Sequence, residues 1–281
     1  LLGSDYGAIR VNYINGFLEK KDDQINRFLT ARGIEWTNKE SLVLGFSETI
    51  IYSGFKRKFD FSYLNPISSH LEVELNDRLY LQGNSNSNAV WQFHLDWLIQ
   101  KNKRISLNYL YDELVLDKKI QIGKEHGRAY SLRISYTPVN KNGKIITLIG
   151  ENIFIGTPTF RHGNGYNNFV LNSMPLGWPG GSDLLRRVIG IKTSNKILFF
   201  SFEYGFIKKG VESITERPYE KYFDYLESSF PSGDYTSDIF FKNRFEWFYK
   251  KRISFIYDFT VNKNKETIIL LGIQSIFPIH K

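Results

Sequence analysis

Residues 89–99 run Ala89-Val90-Trp91-Gln92-Phe93-His94-Leu95-Asp96-Trp97-Leu98-Ile99. Ala89, Trp91, Phe93, Leu95, Trp97 and Ile99 take every second position, and Gln92, His94 and Asp96 fall between them. A period of two is that of a β-strand whose faces meet different surroundings. Globular strands usually run about 5–6 residues, whereas a tilted strand needs about 9–11 to cross a bilayer. One side of this segment is therefore expected to face lipid and the other a polar interior.

The pattern recurs along the chain. Ile105, Leu107, Tyr109 and Tyr111 oppose Ser106 and Asn108; Tyr130, Leu132, Ile134 and Tyr136 oppose Ser131, Arg133 and Ser135. Leu198, Phe200, Phe202 and Tyr204 oppose Phe199, Ser201 and Glu203, and Ile253, Phe255, Tyr257, Phe259 and Val261 oppose Ser254, Asp258 and Thr260. The alternation predicts twelve strands, near 6–17, 24–36, 41–53, 89–100, 104–112, 128–138, 144–156, 184–193, 197–207, 238–249, 253–262 and 267–277. Short turns at 37–40, 101–103, 139–143, 194–196 and 250–252 alternate with long loops at 54–88, 113–127, 157–183 and 208–237. Segregation of short turns to one rim and long loops to the other is the organisation of outer-membrane barrels; only the short 263–266 connection breaks it. The expected fold is all-β, an antiparallel transmembrane β-barrel forming one domain over 1–281.

Composition agrees. The 281 residues include 23 Phe, 17 Tyr and 5 Trp, an aromatic share of 16%, as girdled barrels have. Trp36, Trp97 and Trp247 fall near short turns and Trp91 near the opposite rim, where interfacial aromatics belong; a soluble sandwich core is the competing reading. There is no cysteine, which excludes disulfides and thiolate chemistry. The net charge of +8 is concentrated around short turns, on Lys101, Lys103, Arg104, Lys141, Lys144, Lys192, Lys196, Lys250, Lys251 and Arg252. Loop 208–237 carries four basic and six acidic residues. Basic charge along one rim suits anionic outer-membrane lipid headgroups, and no nucleic-acid-binding motif accompanies it. The long loops are expected to be extracellular and the basic turns periplasmic. No leader is visible, and a start at Leu1 suggests a processed or truncated product.

Three groups of segments stand out: Arg27-Phe-Leu-Thr-Ala-Arg-Gly-Ile-Glu-Trp36 with Leu44-Gly-Phe-Ser-Glu48 and Ile51-Tyr-Ser-Gly54; Phe59-Asp-Phe-Ser-Tyr-Leu-Asn-Pro66; and Phe160-Arg-His162 with Tyr166 and Leu176-Gly-Trp-Pro-Gly-Gly-Ser-Asp183. In their order and spacing they resemble the capsule-assembly outer-membrane family of the Wzi type. Together they span roughly 24–210. Trp178 and Gly181 stand where a polar or histidine residue and a proline are more usual in the family. The resemblance implies a barrel of roughly eighteen strands, of which this chain would be the C-terminal two-thirds. It also implies a non-enzymatic, lectin-like role in holding capsular or other surface polysaccharide.

Charged strand residues are expensive on a lipid face. Arg32, Glu35, Glu48, His94, Asp96, Asp112, Arg133 and Glu151 are accordingly expected in the lumen, with Arg187 beside them, as a salt-bridge network or an ion path. His94 and Asp96 share a face, but no third ligand accompanies them, so no metal is expected, nor any other cofactor. Carboxylate pairs hydrolyse glycosides only at defined separations, which a sequence does not supply. His162 with Ser173 or Ser182 and Asp183 lacks the Gly-x-Ser-x-Gly context of a nucleophile. Loop 157–183 is rich in Gly, Asn and aromatics, a composition suited to stacking sugar rings and reading hydroxyls, or to an in-folded plug. The candidate polysaccharide-binding residues are Phe160, Arg161, His162, Asn164, Tyr166, Asn167, Asn168, Trp178, Asp183, Arg217 and Lys221. The competing function is an outer-membrane diffusion channel or transporter.

Overall fold

In the computed structural model, residues 2–21, 24–65, 69, 87–113, 127–222, 230–249, 253–263 and 266–275 are described. Pro66, Lys250, Lys251, Arg252 and most of loops 54–88 and 113–127 lie outside them. The wall strands are β1 (Leu2–Ser4), β2 (Gly7–Lys21), β3 (Ile25–Thr37), β4 (Leu42–Phe55), β5 (Ser87–Gln100), β6 (Lys103–Glu113), β7 (Gly127–Lys141) and β8 (Lys144–Ile155). After a two-residue pair, β9 (Val170–Leu171) and β10 (Met174–Pro175), the wall resumes with β11 (Leu184–Ser194), β12 (Leu198–Lys209), β13 (Thr236–Tyr249), β14 (Ile253–Asn262) and β15 (Thr267–Ser275).

Thirteen strands form one sheet in chain order, with β8 paired directly to β11. Every neighbouring pair is antiparallel, so each is joined as a hairpin or across a loop at one rim. All twelve expected strands are present, and β1 adds a short thirteenth. The 22–24 connection is also short on the long-loop rim, a second exception beside 263–266. The sheet is not closed: among the described residues, no pairing joins β15 to β2. Among the described residues, no helix is long and apolar enough to cross a membrane.

Register assigns the faces. Val11, Ile34, Phe46, Phe93 and Tyr109 stand opposite one another in successive strands. Val11, Ile34, Phe46 and Phe93 are between 41% and 66% exposed, so this face is outward and apolar. Trp97, Trp247, Tyr249 and Phe255 continue it near the short-turn rim, with Trp247 stacked on Phe255 at 5.5 Å. The opposite face carries Gln92, His94, Asp96, Asn108 and Arg133. Residues from Leu18 on β2 to Ile207 on β12 pack against a single loop cluster on that side, so the sheet curves around it and the polar face is concave.

The chain leaving β4 turns at Lys56 (φ 48°) and runs along the outward face. Phe59 packs edge-on against Phe28, and Tyr63 stacks at 4.5 Å on Tyr52, which stacks on Phe28. Asp60 caps a short 3-10 turn over Phe61–Leu64 by accepting from the Ser62 N–H.

Arg32 and Glu48 correct the sequence expectation. They stand opposite each other on β3 and β4, on the same side as Ile34 and Phe46, and so face outward. Their charges are tolerable there because they are covered. Glu48 is 4% exposed and also accepts from the Trp91 indole at 2.7 Å, while Arg32 reaches the Asn65 carbonyl at 2.5 Å. Arg187 also faces outward, level with Asn152 and Phe206.

Candidate functional site: a plugged concave face

The loops 156–183 and 210–222, with 230–235, fold into the concave face instead of standing clear of the rim. Arg27, on the inward side of β3, is fully buried and donates to the carbonyls of Tyr166 (2.5 Å), Asn168 (2.8 Å) and Val170 (3.0 Å). Its charge is met by Glu19, which also accepts from the Tyr219 hydroxyl. Ser53 donates to the Asn167 amide oxygen at 2.6 Å, Asn88 donates to the Asn167 carbonyl, and Asp112 accepts the Phe160 N–H. Wall strands β3 to β6 thus each hold the same loop. Planar guanidinium geometry suits Arg27 to gathering several carbonyls at once.

The two loops also hold each other. The Asn168 amide donates to the Pro218 and Glu220 carbonyls, and its oxygen accepts from the His162 N–H at 2.8 Å. Arg161 reaches the Glu212 carbonyl and lies 5.1 Å from the Tyr222 ring. Burial pushes its guanidinium below the ordinary arginine range, and Glu212 and Tyr222 pull it back. Asp183 accepts from Thr157, from the Ser232 N–H at 3.0 Å and from the Ser232 hydroxyl. Gly165 is required by close approach: a Cβ there would lie 1.9 Å from the Tyr219 carbonyl oxygen.

Beneath this plug lies a cavity of about 480 Å³. Phe160, Phe169, Leu176 and Trp178 border it from the plug; its wall is mostly apolar, with Leu29, Val90, Leu110 and Ile153 among the lining residues, and Thr49, Gln92, Asn108 and Ser131 add a polar row. Gln92 donates to Asn108 at 3.1 Å, and Asn108 donates to Ser131 at 3.1 Å. The chamber joins an indole to a row of amide and hydroxyl groups. That combination accepts a polyhydroxylated ring, apolar face on the indole and hydroxyls on the amides. Arg186, 5.8 Å from the Trp178 ring and paired with Glu151 and Glu203, stands beside it.

The candidate residues separate by position. Arg161, Asn168 and Asp183 are buried struts bonded within the plug, Asn167 is buried and bonded to the wall, and Phe160 is buried in the plug's core. Asn164 caps the turn before Tyr166, and His162 accepts the Asn164 N–H on Nδ1. Tyr166 is half-buried and engaged through its backbone, Arg217 pairs with Glu212 and Glu220, and Lys221 is exposed. Trp178 and Phe160 are the ones that meet the chamber. Of the lumen set, Glu35, His94, Asp96, Asp112, Arg133 and Glu151 do face inward. His94 lies 3.3 Å from Glu35, in space left by Gly45, and Asp96 holds Arg104 and Ser106. Among the described residues, no three metal-binding side chains gather. Sequence reasoning missed Arg27, Gln92 with Asn108, and Arg186. Their signal was a polar residue at an inward position of an otherwise alternating strand.

The sequence matches no protein-family model and no curated protein. Among solved structures it is similar to Wzi of Escherichia coli, an outer-membrane protein involved in group 1 capsule assembly and described as a carbohydrate-binding β-barrel. The TM-score is 0.67 at 11% identity, over 98% of this chain and 57% of that one. It also aligns with the CymD monoaromatic hydrocarbon channel (TM-score 0.36) and an outer-membrane channel of Pseudomonas putida F1 (TM-score 0.30). Both are 9% identical over 98% of this chain, covering 80% and 95% of theirs. The likeness to Wzi shows the fold, that of an outer-membrane β-barrel wall, and extends the resemblance carried by the sequence motifs.

Proposed function

We propose that this chain is a non-enzymatic outer-membrane protein that holds an exported capsular or other surface polysaccharide, with its plugged rim outside the cell. The observation that supports this best is the chamber between Trp178 and the Gln92–Asn108–Ser131 row. Fold likeness alone does not give function, but a chamber with sugar-compatible chemistry inside a fold shared with a carbohydrate-binding barrel favours glycan recognition. Retention of polysaccharide by the full protein in detergent, measured against glycans of defined composition, tests the proposal. Saturable binding that falls on Trp178→Ala supports it, and single-channel conductance without glycan binding would favour the diffusion-channel reading instead.

The wall belongs, on this proposal, to a larger barrel of about eighteen strands. Unpaired strand edges cost several kcal/mol per backbone group in lipid, and the edges of β2 and β15 lack partners along most of their length among the described residues. The basic short turns then sit in the periplasm against anionic headgroups.

A further inference from the structure

The segment that leaves β4 is at odds with an ordinary surface loop. Past Lys56 it lies on the outward face, where lipid is expected, yet Lys56-Arg57-Lys58-Phe59-Asp60-Phe61 sets three cations directly before two aromatics. Phe59 and Tyr63 anchor it on Phe28 and Tyr52. Arg57 is spent internally, 4.8 Å from the Tyr52 ring and 3.6 Å from Asp60. Lys56 and Lys58 are exposed and make no ion pair among the described residues, and Lys56 lies 5.4 Å from the Phe55 ring. Lys20 joins them. It is exposed on the outward side of β2 opposite Asn26, whose amide donates to the Arg57 carbonyl at 2.7 Å. Phe17 (57% exposed) and Phe61 (75%) extend the surface as an apolar floor.

Three cations without an ion pair among the described residues, together with exposed aromatic rings at one rim of the outward side, match a ligand with anionic head and several acyl chains. We infer that Lys20, Lys56, Lys58, Phe17 and Phe61 form a seat for a phosphorylated, multiply acylated glycolipid of the outer leaflet. This rests on the proposed orientation of the plugged rim. Three separate lysines suit a headgroup with two phosphates better than one phosphodiester. The covered pair Arg32–Glu48 lies farther down the same face, so the seat is at headgroup level.

The test uses the full protein freed of lipid in detergent, with bound lipid counted by native mass spectrometry. The probes are bisphosphorylated lipid A, its dephosphorylated form and phosphatidylglycerol. Bisphosphorylated lipid A should be retained, and each lysine should contribute about fivefold, so Lys58→Gln alone is measurable and the triple change Lys20→Gln/Lys56→Gln/Lys58→Gln lowers retention at least tenfold. Removing the phosphates should have a similar effect, and Phe61→Ser should weaken binding while leaving its phosphate dependence. A control triple on the other rim, Lys141→Gln/Lys144→Gln/Lys196→Gln, should leave it unchanged. Parent-like binding by the lysine variants, equal retention of phosphatidylglycerol, or loss only in the control would overturn the inference. Glycan binding by the same variants is read separately, so failure here is distinct from failure of the polysaccharide proposal.

Discussion

Arg32 and Glu48 face each other across β3 and β4 on the apolar side of the wall, with Arg32 Nε 2.6 Å from a Glu48 oxygen. Removing one member of a buried pair leaves an uncompensated charge, whereas replacing both with apolar groups is often neutral. Glu48→Leu or Arg32→Met alone should therefore cost about 3–5 kcal/mol. The double change should come close to the parent in urea unfolding from detergent. Additive losses would show that the pair is not isolated from solvent as described.

The face assignment makes a sharper demand. Phe93→Arg, outward and beside Phe46, should cost about 2–4 kcal/mol near the bilayer midplane. Gln92→Arg, one residue away and inward, should be tolerated much better in the same unfolding assay in lipid vesicles. Equal losses at the two positions are incompatible with a wall between lipid and lumen.

Arg27 holds three plug carbonyls, and hydrogen bonds to a charged group are worth about 1.5–3 kcal/mol each. Arg27→Met should loosen the plug and expose residues 163–180 to limited proteolysis, with strand content unchanged. Arg27→Lys should rescue only part of the protection, because a point charge cannot span the carbonyls as a planar fork does. Full resistance in Arg27→Met would mean that the loop contacts alone hold the plug.

Trp178→Ala should weaken glycan binding by about 1 kcal/mol, roughly fivefold, with surface abundance unchanged. Asn108→Ala should add to the loss. Tyr166→Ala should have a smaller effect than Trp178→Ala, since Tyr166 is fixed through its carbonyl. A larger effect at Tyr166, by calorimetry with the same polysaccharide, would place the sugar on the plug's outer surface.

Closure is open to a direct check. The 281-residue chain by itself should not migrate as a heat-modifiable species in detergent gels, because the edges of β2 and β15 need partners. Heat-modifiable migration of this chain would show that it closes alone.

Most of the wall was legible because lipid on one side and a polar interior on the other imprint a period of two. Phe93 and His94 show their faces without any knowledge of neighbours. Arg32 and Glu48 were misassigned because cost was judged from charge alone. Their position in the alternation, shared with Ile34 and Phe46, pointed outward, but the cover supplied by Trp91 and Asn65 is a tertiary fact. Asn167 and Asn168 looked like glycan readers for a related reason. Amides bonded inside a plug and amides that gather sugar hydroxyls have the same composition, and only partners far away in the chain distinguish them, Ser53 for Asn167 and the Pro218 and Glu220 carbonyls for Asn168.

The contacts of Arg27 also impose an order of assembly. Its partners lie 139 to 143 residues downstream, whereas wall pairing is between consecutive hairpins apart from the step from β8 to β11. Contacts between near neighbours form faster than those that close long stretches of chain. The guanidinium should therefore meet its carbonyls after β4 to β8 are in register, because the curvature of those strands brings residue 168 back to residue 27. Docking of the plug is therefore sensitive to register: a one-residue slip anywhere between would turn the intervening side chains to the wrong face and leave Arg27 with Glu19 but without its three plug carbonyls.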